Sequence, residues 1–148
     1  MAKRKFDLIV WGASGFTGQL VTEYLARQYG VGEELHWAIA GRNQDKLEQV
    51  REQCLSKAKR SLLPILLADS DDPKSLAELV AQTKVICTTV GPYAKYGTPL
   101  VAACAEAGTD YCDLTGEVPW MAQVIPAYQG VAAGSGARIV HTCGFDSI

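Results

Sequence analysis

The segment Val10-Trp11-Gly12-Ala13-Ser14-Gly15-Phe16-Thr17-Gly18 constrains this chain more than any other. It follows a short apolar run, Leu8 to Trp11, and its glycines are spaced G-x-x-G-x-x-G. A strand therefore runs into a tight turn, and the turn opens a helix whose free amides point outward. Gly12 permits the turn that leaves the strand. Gly15 lets the backbone touch a bulky anion, and Gly18 lets the helix pack closely on the sheet. Ser14 and Thr17 add hydroxyls, and Phe16 begins the helix. The pyrophosphate of a dinucleotide fits such a cradle. An ordinary glycine-rich turn would look the same in isolation, so the rest of the chain has to decide.

The chain alternates β and α throughout. Strands are expected at Asp7 to Trp11, Leu35 to Ala40, Pro64 to Ala68, Lys84 to Val90, Tyr111 to Leu114 and Ala137 to Thr142. Helices are expected over Phe16 to Tyr29 and Asp45 to Ala58, and from Pro73 onward. Two more are expected from Thr98-Pro99 to Gly108 and from Pro119 to about Ala133. Apolar spacing, glycine stops and prolines at first helical positions mark them. The fold class is α/β: a doubly wound parallel sheet of about six strands in the order 3-2-1-4-5-6. At 148 residues this is one domain, residues 1–148, with no internal linker or charge block. The sequence stops directly after strand six. The expectation is a cofactor domain whose substrate and dimerisation domain lies beyond residue 148.

A net charge of −2 provides no basic field for nucleic acid. Five cysteines, 54, 87, 104, 112 and 143, contain no C-x-x-C pair, and two histidines are too few for a zinc-type cluster, so no metal is expected. Unpaired cysteines suggest reduced thiols and a cytoplasmic protein. No segment approaches the roughly 20 apolar residues of a membrane helix; peripheral membrane association stays open.

Arg42 lies about two dozen residues past Gly18, where this fold reads the adenosine ribose. A carboxylate there would bind the 2′-hydroxyl of NAD. A guanidinium binds a 2′-phosphate instead, which favours NADP over NAD. Asn43 can donate a further bond or cap the next helix. S-adenosylmethionine-dependent methyltransferases share the glycine turn but usually need an acid where this chain reads Ala40-Gly41-Arg42-Asn43.

Ligands of such sheets lie across the carboxyl ends of the strands. Asp69, after strand three, can accept from the adenine amino group or hold its own turn. Gly91, Pro92 and Tyr93, after strand four, are expected beside the nicotinamide ribose, with Tyr93 free to stack, to donate or simply to plug the loop. Asp113-Leu114-Thr115-Gly116-Glu117 is either a polar site or a self-bonded turn followed by a charge at the next helix N-terminus. Asp146 and Ser147 are further polar groups at this edge. His141, within strand six, reads as a packed core histidine.

These segments, with Tyr96-Gly97 and Gly144-Phe145-Asp146-Ser147, occur in an order that resembles the amino-terminal NAD(P)-binding domain of saccharopine dehydrogenase-like oxidoreductases. The nearest branch includes the mycobacterial trans-acting enoyl reductases. The resemblance covers the whole chain. It implies a Rossmann domain with the glycine turn on pyrophosphate, Arg42 on the adenosine phosphate and Gly91 to Tyr93 near the nicotinamide. It also implies a second α+β domain, often dimer-forming, so a homodimer stays open. No catalytic residue is carried over. Two functions follow. One is an oxidoreductase domain moving hydride between NADP and a small-molecule or lipid-linked substrate. The other is a binding module that senses NADP(H) without turnover. None of Tyr93, Tyr96, Tyr111 and Tyr128 has a lysine four positions on, so the Tyr-x-x-x-Lys proton donor of short-chain dehydrogenases is missing. The isolated domain is expected to bind cofactor without turning over.

Overall fold

The computed structural model describes residues 3–145. Six parallel strands run in the order β3-β2-β1-β4-β5-β6, which is the order the sequence implies. They are β1 (Phe6–Trp11), β2 (Trp37–Gly41), β3 (Ile65–Leu67), β4 (Thr83–Thr88), β5 (Asp110–Cys112) and β6 (Ile139–Val140). The helices are α1 (Phe16–Tyr29), α2 (Gln44–Cys54), α3 (Pro73–Val80), α4 (Tyr93–Ala107) and α5 (Val118–Ser135), with a 3-10 turn at Arg60–Leu62.

Side chains in lateral register share a face of the sheet. Ile9, Ile86, Tyr111 and Ile139 are in register on one face and pack under α3, α4 and α5 with Leu76, Leu100, Val101 and Trp120. Val10 and Ile39 point the other way and pack under α1 and α2 with Leu25, Leu47 and Leu55. Burying these two apolar layers stabilises the fold through removal of apolar surface from water. The second layer covers β1, β2 and β3. On the same face of β4, β5 and β6, Val85, Cys87 and Cys112 are only half-buried and Val140 is 54% exposed.

Strands β1 to β5 differ from the sequence expectation by one or two residues at one or both ends, and three other boundaries differ for reasons the structure shows. Helix α4 begins at Tyr93, not at Thr98, and Pro99 lies inside it. The Glu117 carboxylate takes the first two amides of α4, from Tyr93 at 2.6 Å and Ala94 at 3.1 Å. Pro99 leaves the Lys95 carbonyl without its helical donor, and Lys95 is an exposed residue where water can serve. Helix α2 ends at Cys54, where Leu55 turns extended and buries its side chain. Strand β6 is only two residues long because Asp113 takes over its ladder: the Thr142 amide donates to the Asp113 carboxylate at 3.0 Å.

Candidate functional site

The glycine turn is built as the spacing implies, and the three glycines do different work. Gly12 has φ +83°, in the left-handed region, and a Cβ there would lie 2.3 Å from Val90 Cγ2. A Cβ on Gly18 would lie 2.0 Å from the Gly12 carbonyl oxygen and 2.7 Å from the Ala13 Cα, so the helix can approach β1 only with glycine there. Gly15 is the N-cap of α1, and its N–H donates to Gly12 O at 3.1 Å. The first turn of α1 has no side-chain cap and no acidic residue. By contrast, α2 is capped by Asn43, α3 by Asp72 and α4 by Glu117. The amides of α1 thus keep their capacity for an external anion, which fits a phosphate guest.

Beside this turn lies a cleft of about 250 Å³ at the carboxyl ends of β1, β2 and β3. Ser14, Arg42, Asp69, Val90 and Tyr96 all line it. Arg42 is exposed, and among the described residues its guanidinium makes no hydrogen bond or ion pair. It is therefore available to a phosphate. Asn43 caps α2, accepting from the Lys46 amide at 3.0 Å, and its amide NH₂ stays free to donate. Asp69 holds its own turn through the Asp71 amide at 2.9 Å while also lining the cleft. Thr17 is exposed on the first turn of α1. Phe16 is 83% exposed and lines a separate groove of about 530 Å³ behind α1, with Gln19, Leu20 and Lys59.

Gly91 and Pro92 are exposed at the start of α4. The Tyr93 side chain takes the core alternative. It is 4% exposed and its ring lies 5.5 Å from that of Trp120, centroid to centroid. Its hydroxyl donates to the Thr88 carbonyl at 3.2 Å, and burial pushes its pKa up to about 12. Tyr96, about one α-helical turn along, lines the cleft instead, as does Trp11.

The segment after β5 is self-bonded. Asp113 is fully buried and accepts four hydrogen bonds. Oδ1 takes the Thr115 amide at 3.1 Å and the Thr142 amide at 3.0 Å. Oδ2 takes the Tyr111 hydroxyl at 2.7 Å and pairs with His141 Nδ1 at 2.7 Å. Burial alone would raise the pKa of this carboxyl. The four bonds outweigh it and hold the group below the usual carboxylate range. The His141 side chain is 8% exposed and packs edge-on to Trp120 and Tyr111. Sequence reasoning placed His141 in the core but missed the network. The signal was available once the strand order was known: continuing the β5–β6 register beyond Cys112↔Val140 sets Asp113 beside His141. Asp146 and Ser147 lie outside the described residues. Among the described residues, no group of three His, Cys, Asp or Glu side chains is placed to hold a metal ion. No described helix is long and apolar enough to cross a membrane.

Residues 8–140 match the family described as the saccharopine dehydrogenase NADP binding domain. The chain belongs to that family. Its dinucleotide is accordingly NADP. A trans-acting enoyl reductase of Mycobacterium tuberculosis is 47% identical over 147 residues, covering 99% of this chain and 34% of that protein. The chain thus spans about one third of the length of the curated relatives it matches. Among solved structures, apo saccharopine dehydrogenase (L-Glu forming) from Saccharomyces cerevisiae aligns with a TM-score of 0.72 at 17% identity, covering 94% of this chain and 27% of that one. Triphenylmethane reductase of Citrobacter sp., complexed with NADP(H), aligns with a TM-score of 0.65 at 18% identity, covering 92% of this chain and 48% of that one. At these identities the two structures speak to the fold alone.

Proposed function

We propose that this chain is the cofactor domain of an NADP-dependent oxidoreductase. The observation that carries this reading is the meeting of an uncapped α1 and an unpaired Arg42 at the two ends of one cleft. The amides of Phe16 and Thr17 and the hydroxyls of Ser14 and Thr17 would hold the pyrophosphate, while Gly12 and Gly15, whose own amides donate to Ala40 and Gly12, would let the backbone come close to it. Arg42 and the free amide of Asn43 would hold the 2′-phosphate in fork geometry. Asp69 would accept from the adenine amino group, and Tyr96 would present its ring to the same cleft. Gly91, Pro92 and the backbone of Tyr93 would border the nicotinamide end. When bound in its reduced form, NADPH would supply the hydride, and the protein would position it and keep water away.

The relatives named enoyl reductases favour reduction of a small-molecule or lipid-type substrate over a purely sensing role. Recognition of that substrate would rest with the part of those proteins that this chain does not match.

Calorimetric titration of wild type and Arg42→Ala with NADPH and NADH tests the assignment. Losing charge-assisted bonds to a phosphate costs about 2 kcal/mol, roughly thirtyfold in Kd. NADPH should weaken by that factor while NADH stays within about twofold, since NADH lacks the 2′-phosphate that Arg42 would hold. An unchanged NADPH constant would remove Arg42 from the site.

A further inference from the structure

The cysteines of this chain are not equivalent. Cys104, on α4, is fully buried, and burial pushes its thiol far up. Cys54 closes α2, and Cys143 is exposed after β6. Cys87 and Cys112 differ from all of these because they are direct lateral partners in the β4–β5 ladder. In-register residues of a parallel pair point to the same face from strands about 4.8 Å apart, within the Cα separation that a disulfide tolerates. The face they share is the half-sheet that α1 and α2 leave open, and both side chains are half-buried there, not sealed.

We propose that Cys87 and Cys112 form a dithiol site that small disulfides oxidise reversibly. The register sets the two side chains next to each other on that face. The neighbouring Cys112 thiol lowers the pKa of Cys87 despite its burial. The pairing with Cys87, followed by burial, raises that of Cys112. Cys87 is therefore the attacking thiolate and Cys112 the resolving thiol.

In the first step the Cys87 thiolate attacks one sulfur of a small disulfide such as glutathione disulfide. A Cys87–glutathione bond forms and one glutathione thiolate leaves. Cys112 then loses its proton to water and attacks the Cys87 sulfur. The Cys87–Cys112 bond forms and the second glutathione leaves. Two protein thiols are oxidised, one disulfide is reduced to two thiols, and reduced glutathione in excess reverses both steps. The site lies one residue below Thr88 and Asp113, and it is independent of whether the dinucleotide assignment holds.

The test is mass spectrometry of the purified chain after glutathione disulfide, with tryptic mapping. The expected product lacks two hydrogens and joins peptide 85–95, which carries Cys87, to peptide 96–138. Cys112→Ser should abolish the link and leave a stable glutathione adduct on Cys87. Wild type should also capture one equivalent of a monoaryl trivalent arsenical, which bridges two neighbouring thiols without oxidation, and Cys87→Ser should not. The arsenical result on unmutated protein stands even if a variant folds poorly. Adducts confined to Cys143 and Cys54, a link that survives in Cys112→Ser through Cys104, or failure of wild type to capture the arsenical would each overturn the proposal.

Discussion

Removing the Asp113 carboxylate should be among the most damaging polar changes available in this chain. Its side chain is wholly inaccessible, and it serves four donors from three places: Tyr111 on β5, Thr115 after β5, and Thr142 and His141 after β6. In Asp113→Ala all four lose their acceptor. Two of them are backbone amides that cannot turn elsewhere. A hydrogen bond to a charged group contributes about 1.5–3 kcal/mol, and an orphaned buried donor costs about 1–3 kcal/mol. These figures overlap, since they describe the same loss from two sides, and part of the site will hydrate. An overall cost of about 4 kcal/mol is the reasonable expectation, which for a domain of this size lowers Tm by roughly 12 °C. Asp113→Asn separates the contributions. Its carbonyl can still serve Thr115 and Thr142. Its NH₂ would face the Tyr111 hydroxyl, which can rotate to accept, and His141, which can take the tautomer with Nδ1 unprotonated. That variant should lose only about 1–2 kcal/mol.

The pH dependence has a definite sign. The folded carboxyl has a lowered pKa, so its contribution is complete above the unfolded carboxylate value of about 3.9 and disappears as pH falls through the folded value. Thermal melts by circular dichroism at pH 7 and down to pH 3 provide the readout. A melting point for Asp113→Ala within about 3 °C of wild type, equal to only about 1 kcal/mol, would refute the accounting. Equal losses for Asn and Ala would refute the division between backbone and side-chain donors.

Three other outcomes follow from the geometry. Gly18→Ala forces a methyl against the Gly12 carbonyl, which is backbone and cannot swing away; it should cost about 1–3 kcal/mol and abolish NADPH binding in a titration. Gly130→Ala, in α5 with open space around it, should instead raise stability by about 0.8 kcal/mol in denaturant melts. Glu117→Ala removes both caps of α4 and should cost about 2 kcal/mol, with faster amide exchange at Tyr93 and Ala94 measured by NMR.

What the sequence made legible was local. The strand, the turn and the uncapped helix of the glycine segment follow from spacing within a few residues. The strand order follows from the β–α alternation together with the handedness of parallel crossovers. Arg42 was readable because its position depends only on the length of one β–α–β unit. What remained hidden depended on partners distant in the chain. Pro99 reads as a helix start until a carboxylate 18 positions on caps the helix six residues earlier. Tyr93 reads as a ligand-facing aromatic until Trp120 and the Thr88 carbonyl claim it. The pairing of Asp113 with His141 needs the β5–β6 register, which no local pattern encodes.

The Glu117 carboxylate on the first turn of α4 also gives the cofactor edge a polarity. Of the two helices that begin beside the central strands β1 and β4, one presents a bare positive end and the other has been neutralised from within. An asymmetric, highly charged molecule laid across these strands meets attraction at α1 and Arg42, and a resident negative charge at α4. Such a gradient selects between the two ways of laying the molecule down. The phosphate-rich adenosine half would be directed toward β2, and the half with less charge would be left over β4 and β5. On the proposed reading, an acidic side chain that need not touch the ligand would help set the direction of binding.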